Sequence, residues 1–172
     1  MSKGSELIDA LDGVDAFAQL TASPVFDEET LGRICRSPDA LRSLISIASD
    51  ENAPLARRYA AAEAIRETGS ASTVRKDQSA SRSIAAMLVR AMQRDQFHNR
   101  WGLPGHFVGP TGSLLLELGP SAADALATLL GDERPLTIMG SQAAAAQDAN
   151  QYRIRDLAAY LLANLDSHHG SS

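Results

Sequence analysis

A chain of 172 residues is expected to fold as a single domain, 1–172, and can bury roughly 70% of its unfolded surface. Its composition, 44% hydrophobic and 22% charged with a net charge of −5, is that of a globular protein without the basic excess of a nucleic-acid binder. It has no apolar run near ~18 residues and a single cysteine, which excludes a helical membrane span and an internal disulfide. Glu6, Asp9 and Asp12 interrupt the N-terminal stretch, which argues against a signal peptide. With Cys35 unpaired, the expected location is cytoplasmic. Abundant alanine, few β-branched residues and only 5% aromatics favour helix over sheet.

Taken in order, residues 5–22 place Leu7, Ile8, Leu11, Val14, Phe17 and Leu20 at helical spacing, with Gly13 as a weak point. Asp27 reads as an N-cap, with Glu28 and Glu29 in the first turn, where the helix dipole favours them. Leu31, Ile34 and Cys35 then share one face, and Cys35 is expected to be a small core residue. Ser37 and Pro38 predict the start of the next helix, with Leu41, Leu44, Ile45 and Ala48 buried. A helix over 55–68 follows the turn at Asp50 and ends at Gly69. Residues 70–80 are small and polar and read as a loop. Helix returns over 81–94, irregular chain over 95–110, and helix again over 111–118. The last helices are predicted at 120–131 and 152–165, with the tail 167–172 frayed.

Two of these helix pairs align. Pro38, Leu44 and Asp50 fall on Pro120, Leu126 and Asp132 at an offset of 82. Arg58, Ala61-Ala62 and Ile65 fall on Arg155, Ala158-Ala159 and Leu162 at an offset of 97, so the later copy carries a 15-residue insertion. The stretch RRYAAAEAI, following a turn with an aspartate, resembles the second helix of a HEAT-like repeat. So does its counterpart around Arg155. The resemblance covers residues 38–69 and 120–166 well and 81–119 weakly, with 5–36 as an N-terminal helical cap. It departs from the pattern at Arg57, where a small apolar residue is usual, and at the insertion 136–151. It implies an all-α fold, a short α-solenoid of three helix pairs. It also implies that Arg58 and Arg155 contact the turn aspartates, Asp50 and Asp132, with neighbouring carbonyls, or an adjacent turn, and so tie one repeat to the next. That family mostly binds proteins, and the bilin-lyase type and some DNA-acting members are exceptions within it.

Residues 97–107 hold Phe97, Trp101 and Phe107, three of the eight aromatics, and His98 and His106, two of the four histidines. In a stack of helix pairs, turns inside the pairs lie on one edge, about 10 Å apart. Loop 95–108 and loop 133–151 should therefore meet. Trp101 and Phe107 either plug the core beneath the loop or, with His106, stand at a binding site beside Met139, Gln142 and Tyr152, with Arg153 at the rim. The alanines within the insertion suggest a helical turn as a lid.

No metal ligand set is recognisable, the adjacent His168 and His169 do not share a helical face, and no catalytic or cofactor-binding motif is present. The leading expectation is a non-enzymatic adaptor that binds a protein partner at this edge, without metal or cofactor. The alternative is a small-molecule-binding or lyase-type enzyme with a pocket at the same loops. A third reading, a nucleic-acid binder using Arg82, Arg90, Arg94 and Arg100, runs against the net acidity.

Overall fold

A computed structural model of the chain describes residues 3–18 and 24–167. Helix α1 (Lys3–Asp12) stops where Gly13 weakens the expected longer helix. The Asp15 carboxylate then accepts the Phe17 N–H at 3.0 Å and starts a 3₁₀ turn, Ala16–Ala18. Helix α2 (Glu28–Cys35) begins as expected: Asp27 Oδ1 accepts the Thr30 N–H at 2.7 Å. Ile34 is buried, but Cys35 is exposed, so the thiol is no core residue. The α2 helix is too short and too near its end to turn both residues inward. Helix α3 (Ala40–Ser49) starts later than Ser37 predicts. Ser37 Oγ instead accepts the Asp39 N–H one turn ahead of it.

Helix α4 (Leu55–Glu67) is the centre of the molecule. Every residue from Arg58 to Ile65 is buried, so this helix is enclosed on all sides. Its run of alanines lets α1, α3, helix α6 (Gln78–Arg94) and helix α7 (Pro110–Leu118) approach it. Gly69, at φ +67°, closes α4, and the Ser70 N–H reaches back to the Ile65 carbonyl at 3.0 Å. The expected loop 70–80 contains a short helix, α5 (Ala71–Arg75), because Ala71 and Val74 are drawn into the core. Asp77 then caps α6 by accepting the Ser79 and Ala80 N–H groups.

The third pair differs most from expectation. Residues 120–131 do not form one helix: a 3₁₀ turn, Gly119–Ala122, leads into helix α8 (Ala123–Ala127). Beyond it, i→i−3 bonds continue from Thr128 to Asp132. The insertion is mostly ordered helix, α9 (Ser141–Asn150), between Gly140 at φ +101° and Gln151 in the left-handed region. Helix α10 (Ile154–Ser167) follows; His168 and His169 lie outside the described residues.

Contacts pass from pair to pair. The α3–α4 pair packs on α6 and α7, and these pack in turn on α8 and α10. The described residues are therefore all-α, with one exception: strands β1 (Gly102–Leu103) and β2 (Phe107–Val108) form a small antiparallel hairpin. Two glycines seat this hairpin loop on α7. A Cβ on Gly109 would strike the Arg100 carbonyl, and one on Gly112 the Trp101 carbonyl. The Arg100 carbonyl uses that closeness to accept the Thr111 and Gly112 N–H groups at 2.9 and 3.2 Å, capping α7.

Candidate functional site

Loops 95–108 and 133–151 meet on one edge. The His98 N–H donates to the Thr137 carbonyl at 2.8 Å, and the Thr137 N–H donates to His98 Nδ1 at 3.1 Å. One residue on, the Asn99 amide makes a matching pair with Met139, at 2.8 and 2.7 Å. The other side of segment 134–139 is held as well. The Leu136 N–H bonds the Tyr152 carbonyl, and the Ile154 N–H bonds the Arg134 carbonyl. Buried Gln147, on α9, donates to the Leu136 and Tyr152 carbonyls at 2.9 and 2.8 Å. The insertion is thus stitched down along both flanks, and Leu136 and Ile138 enter the core.

Most of the expected residues stand on this edge. His106 is exposed at the hairpin tip, and Phe107 is half-buried behind it. Tyr152 is half-buried, its hydroxyl 4.0 Å from where a Cβ on Gly105 would stand. Met139, Gln142 and Arg153 are exposed, and Arg153 Nη1 donates to the Glu133 carbonyl at 2.8 Å.

Trp101 is a correction. It is 0% exposed, stacked on Tyr59 with ring centroids 5.7 Å apart, and its Nε1 donates to Asp95 at 3.1 Å. Trp101 points under the loop and joins the core around α4, with Leu103 beside it also fully buried. Phe17 meets Tyr59 edge-on from the opposite side. Arg100 also turns inward. It pairs with Glu63 at 2.9 Å, with both side chains buried, so it adds nothing to a surface basic patch with Arg82, Arg90 and Arg94. Glu63 also accepts from Arg66 at 2.7 Å and from Thr111 Oγ1. Three donors, from Arg66, Arg100 and Thr111, thus converge on one buried carboxylate.

The repeat arginines are corrected in part. Buried Arg58 donates its Nε to the Ala48 carbonyl at 3.0 Å, an α3 helix end, and Asp50 instead accepts from Asn52. Arg155 pairs with Glu133 at 2.7 Å, and only its backbone N–H reaches Asp132, at the carbonyl. The Asp132 carboxylate is taken by Arg134, two residues on, whose hydrogen bonds hold its pKa down at about 2. Arg134 also donates to the Gln93 carbonyl at 3.0 Å, tying this turn to α6.

His98 was flagged in the sequence only as one of an aromatic-rich group, yet it carries the clasp between the loops. Since Nδ1 accepts from Thr137, the neutral ring keeps its proton on Nε2, which is buried. Burial holds the imidazole below its ordinary 6.5. The folded chain therefore resists a proton that the unfolded chain accepts. Stability should be full above about pH 6.5 and fall as pH drops from there through the lower folded value. Urea melts between about pH 7.5 and 5.5 should show this loss. His98→Asn, whose amide oxygen can accept from Thr137 without titrating, should flatten it. Equal pH slopes for the two chains would remove His98 from this role.

Two large apolar side chains lie exposed on the turn inside the third pair, Leu130 at 47% and Met139 at 46%. Sequence reading missed Leu130, because Leu129 beside it faces the core. A separate groove of about 760 Å³ lies at the other end of the molecule, between α1 and the corner of α2 and α3. Among the described residues no group of three metal-ligating side chains converges, and no helix is long and apolar enough to cross a membrane. No family model, no curated protein and no solved structure matches the chain.

Proposed function

We propose that the chain is a short HEAT-like α-solenoid of three helix pairs that serves as a non-enzymatic adaptor. Its partner is a protein, docked on the edge formed by loops 95–108 and 133–151, in a reducing, cytoplasmic setting. The passage of helix contacts from each pair to the next supports the repeat reading. One observation carries the binding reading: Met139 is held exposed at the end of segment 134–139, which is hydrogen-bonded along both flanks, and Leu130 is exposed on the turn that precedes it. A fixed apolar side chain needs little ordering when a partner binds, which favours recognition. Half-buried Phe107 and Tyr152 and exposed His106, Gln142 and Arg153 belong to the same two loops or flank them.

A photo-crosslinking side chain placed at 139 or 130, in the cells of origin, tests this. Adducts to another protein should form from both positions and not from exposed position 117 on α7. Adducts of equal yield from 117, or none from 139, would defeat the proposal.

A further inference from the structure

The groove at the N-terminal end has an apolar floor and a charged rim. Leu7, Ala10 and Val14 of the α1 side form one half of the floor, and Ile34 and Ala40 the other. Glu6 and Asp9 stand exposed on the α1 wall, and Asp27 closes one end. Arg33 and Arg36 stand on the facing wall, but Arg33 is turned back along α2, its Nη2 on Thr30 Oγ1 at 3.1 Å. The surroundings reinforce the acidic side. Residues 1–51 carry ten carboxylates against four Lys and Arg, while the other 121 residues carry eleven against twelve. All the residues that line the groove therefore come from the part of the sequence that carries the net negative charge.

We propose that this groove docks a basic amphipathic helix of a partner protein, with its apolar stripe on the floor and its Lys and Arg side chains over Glu6 and Asp9. The walls decide the backbone of the occupant. They are built from helices, whose main-chain groups are already bonded within each helix, so they offer no strand edge to an extended peptide. A helix satisfies its own backbone and needs only side-chain contacts. From Glu6 to Asp12, where α1 ends, its wall runs about 9 Å at 1.5 Å per residue, enough for more than one turn of an aligned helix. The site is distinct from the loop edge and stands whether or not that edge binds a partner.

Two synthetic helical peptides of about 18 residues, roughly five turns, test the proposal. They share one leucine stripe and carry either Lys or Glu at every polar position. Fluorescence anisotropy is read with the full chain at about 0.15 M salt. The Lys peptide should bind and the Glu peptide should bind at least about tenfold more weakly, near 1.4 kcal/mol. Glu6→Gln with Asp9→Gln should weaken the Lys peptide to a similar degree. Ala10→Trp, which fills the floor, should abolish binding. Ser43→Trp, from the opposite wall, replaces it if circular dichroism shows that Ala10→Trp does not fold. Equal binding of the two peptides would overturn the charge assignment. Undiminished binding to the filled groove would reduce the effect to bulk acidity and overturn the site. A free chain that is dimeric and becomes monomeric on Ala10→Trp would assign the groove to a second copy, and would also overturn it.

Discussion

Trp101→Ala should lower the unfolding free energy by about 3–5 kcal/mol, the range for removing a fully buried large aromatic. The ring is 0% exposed and fills the space between the hairpin loop and Tyr59 on α4. Its loss removes the stacking contact and opens a cavity beneath the loop. It also takes the Nε1 donor from Asp95, a carboxyl whose pKa burial already raises. Urea unfolding followed by circular dichroism measures the effect, with Trp101→Phe expected to retain much of the packing. As the only tryptophan, Trp101 should also give the folded chain the blue-shifted emission of an apolar site. A loss below about 1 kcal/mol, in the range of ordinary surface changes, would mean that this side chain is not a core element.

Glu63→Ala should cost a comparable amount, about 3–5 kcal/mol, because it takes from buried Arg100 the carboxylate that it pairs with at 2.9 Å. The carboxylate also organises Thr111, at the start of α7, and Arg66, which in turn meets Glu67 at 2.9 Å. Glu67 holds the Val25 and Phe26 N–H groups, so the network extends from the hairpin loop to the N-terminal cap. A double replacement distinguishes the pair from its geometry. Glu63→Met with Arg100→Met removes both charges and should be less destabilising than Glu63→Ala alone, since buried pairs are often replaceable by apolar residues. Urea midpoints of the three chains measure this. A double variant worse than the single one would show that the ion pair itself, and not the stranded charge, supports the centre.

Much of the helical frame was legible in the sequence. The spacing of Leu41, Leu44 and Ala48 and of Ile154, Leu157 and Leu161 found α3 and α10, and Asp27 and Gly69 marked an end of α2 and of α4. The meeting of the two long loops followed from pair geometry alone. Periodicity failed where local hydrogen bonds decide the path, as at Gly13 and Asp15, or where i→i−3 turns replace helix, as at 128–132. It had no means of orienting Trp101. In a stretch rich in Gly and Pro there is no repeat to separate inward from outward positions, and an aromatic suits both. The signal lay downstream, in Gly109 and Gly112, whose missing side chains let the loop backbone settle on α7 and carry Trp101 inward. The partners of Asp132 and Arg155 were misjudged for a simpler reason: Arg134 and Glu133 lie nearer along the chain than the repeat counterpart does.

The stitching of segment 134–139 bears on the order in which the molecule is completed. Its bonds to His98 and Asn99 span 39 and 40 residues, and closing so long a stretch is entropically costly until both ends are already positioned. The helices supply those positions: α6 leads into His98, and α10 presents the N–H of Ile154. Local helical turns form first and distant pairings follow. The surface around Met139 is therefore among the last parts of the chain to take shape. On the function proposed above, a partner docking there would meet this surface only on folded molecules. On that proposal the edge would mark a completed fold, since its bonds form only between segments that the helices have already placed.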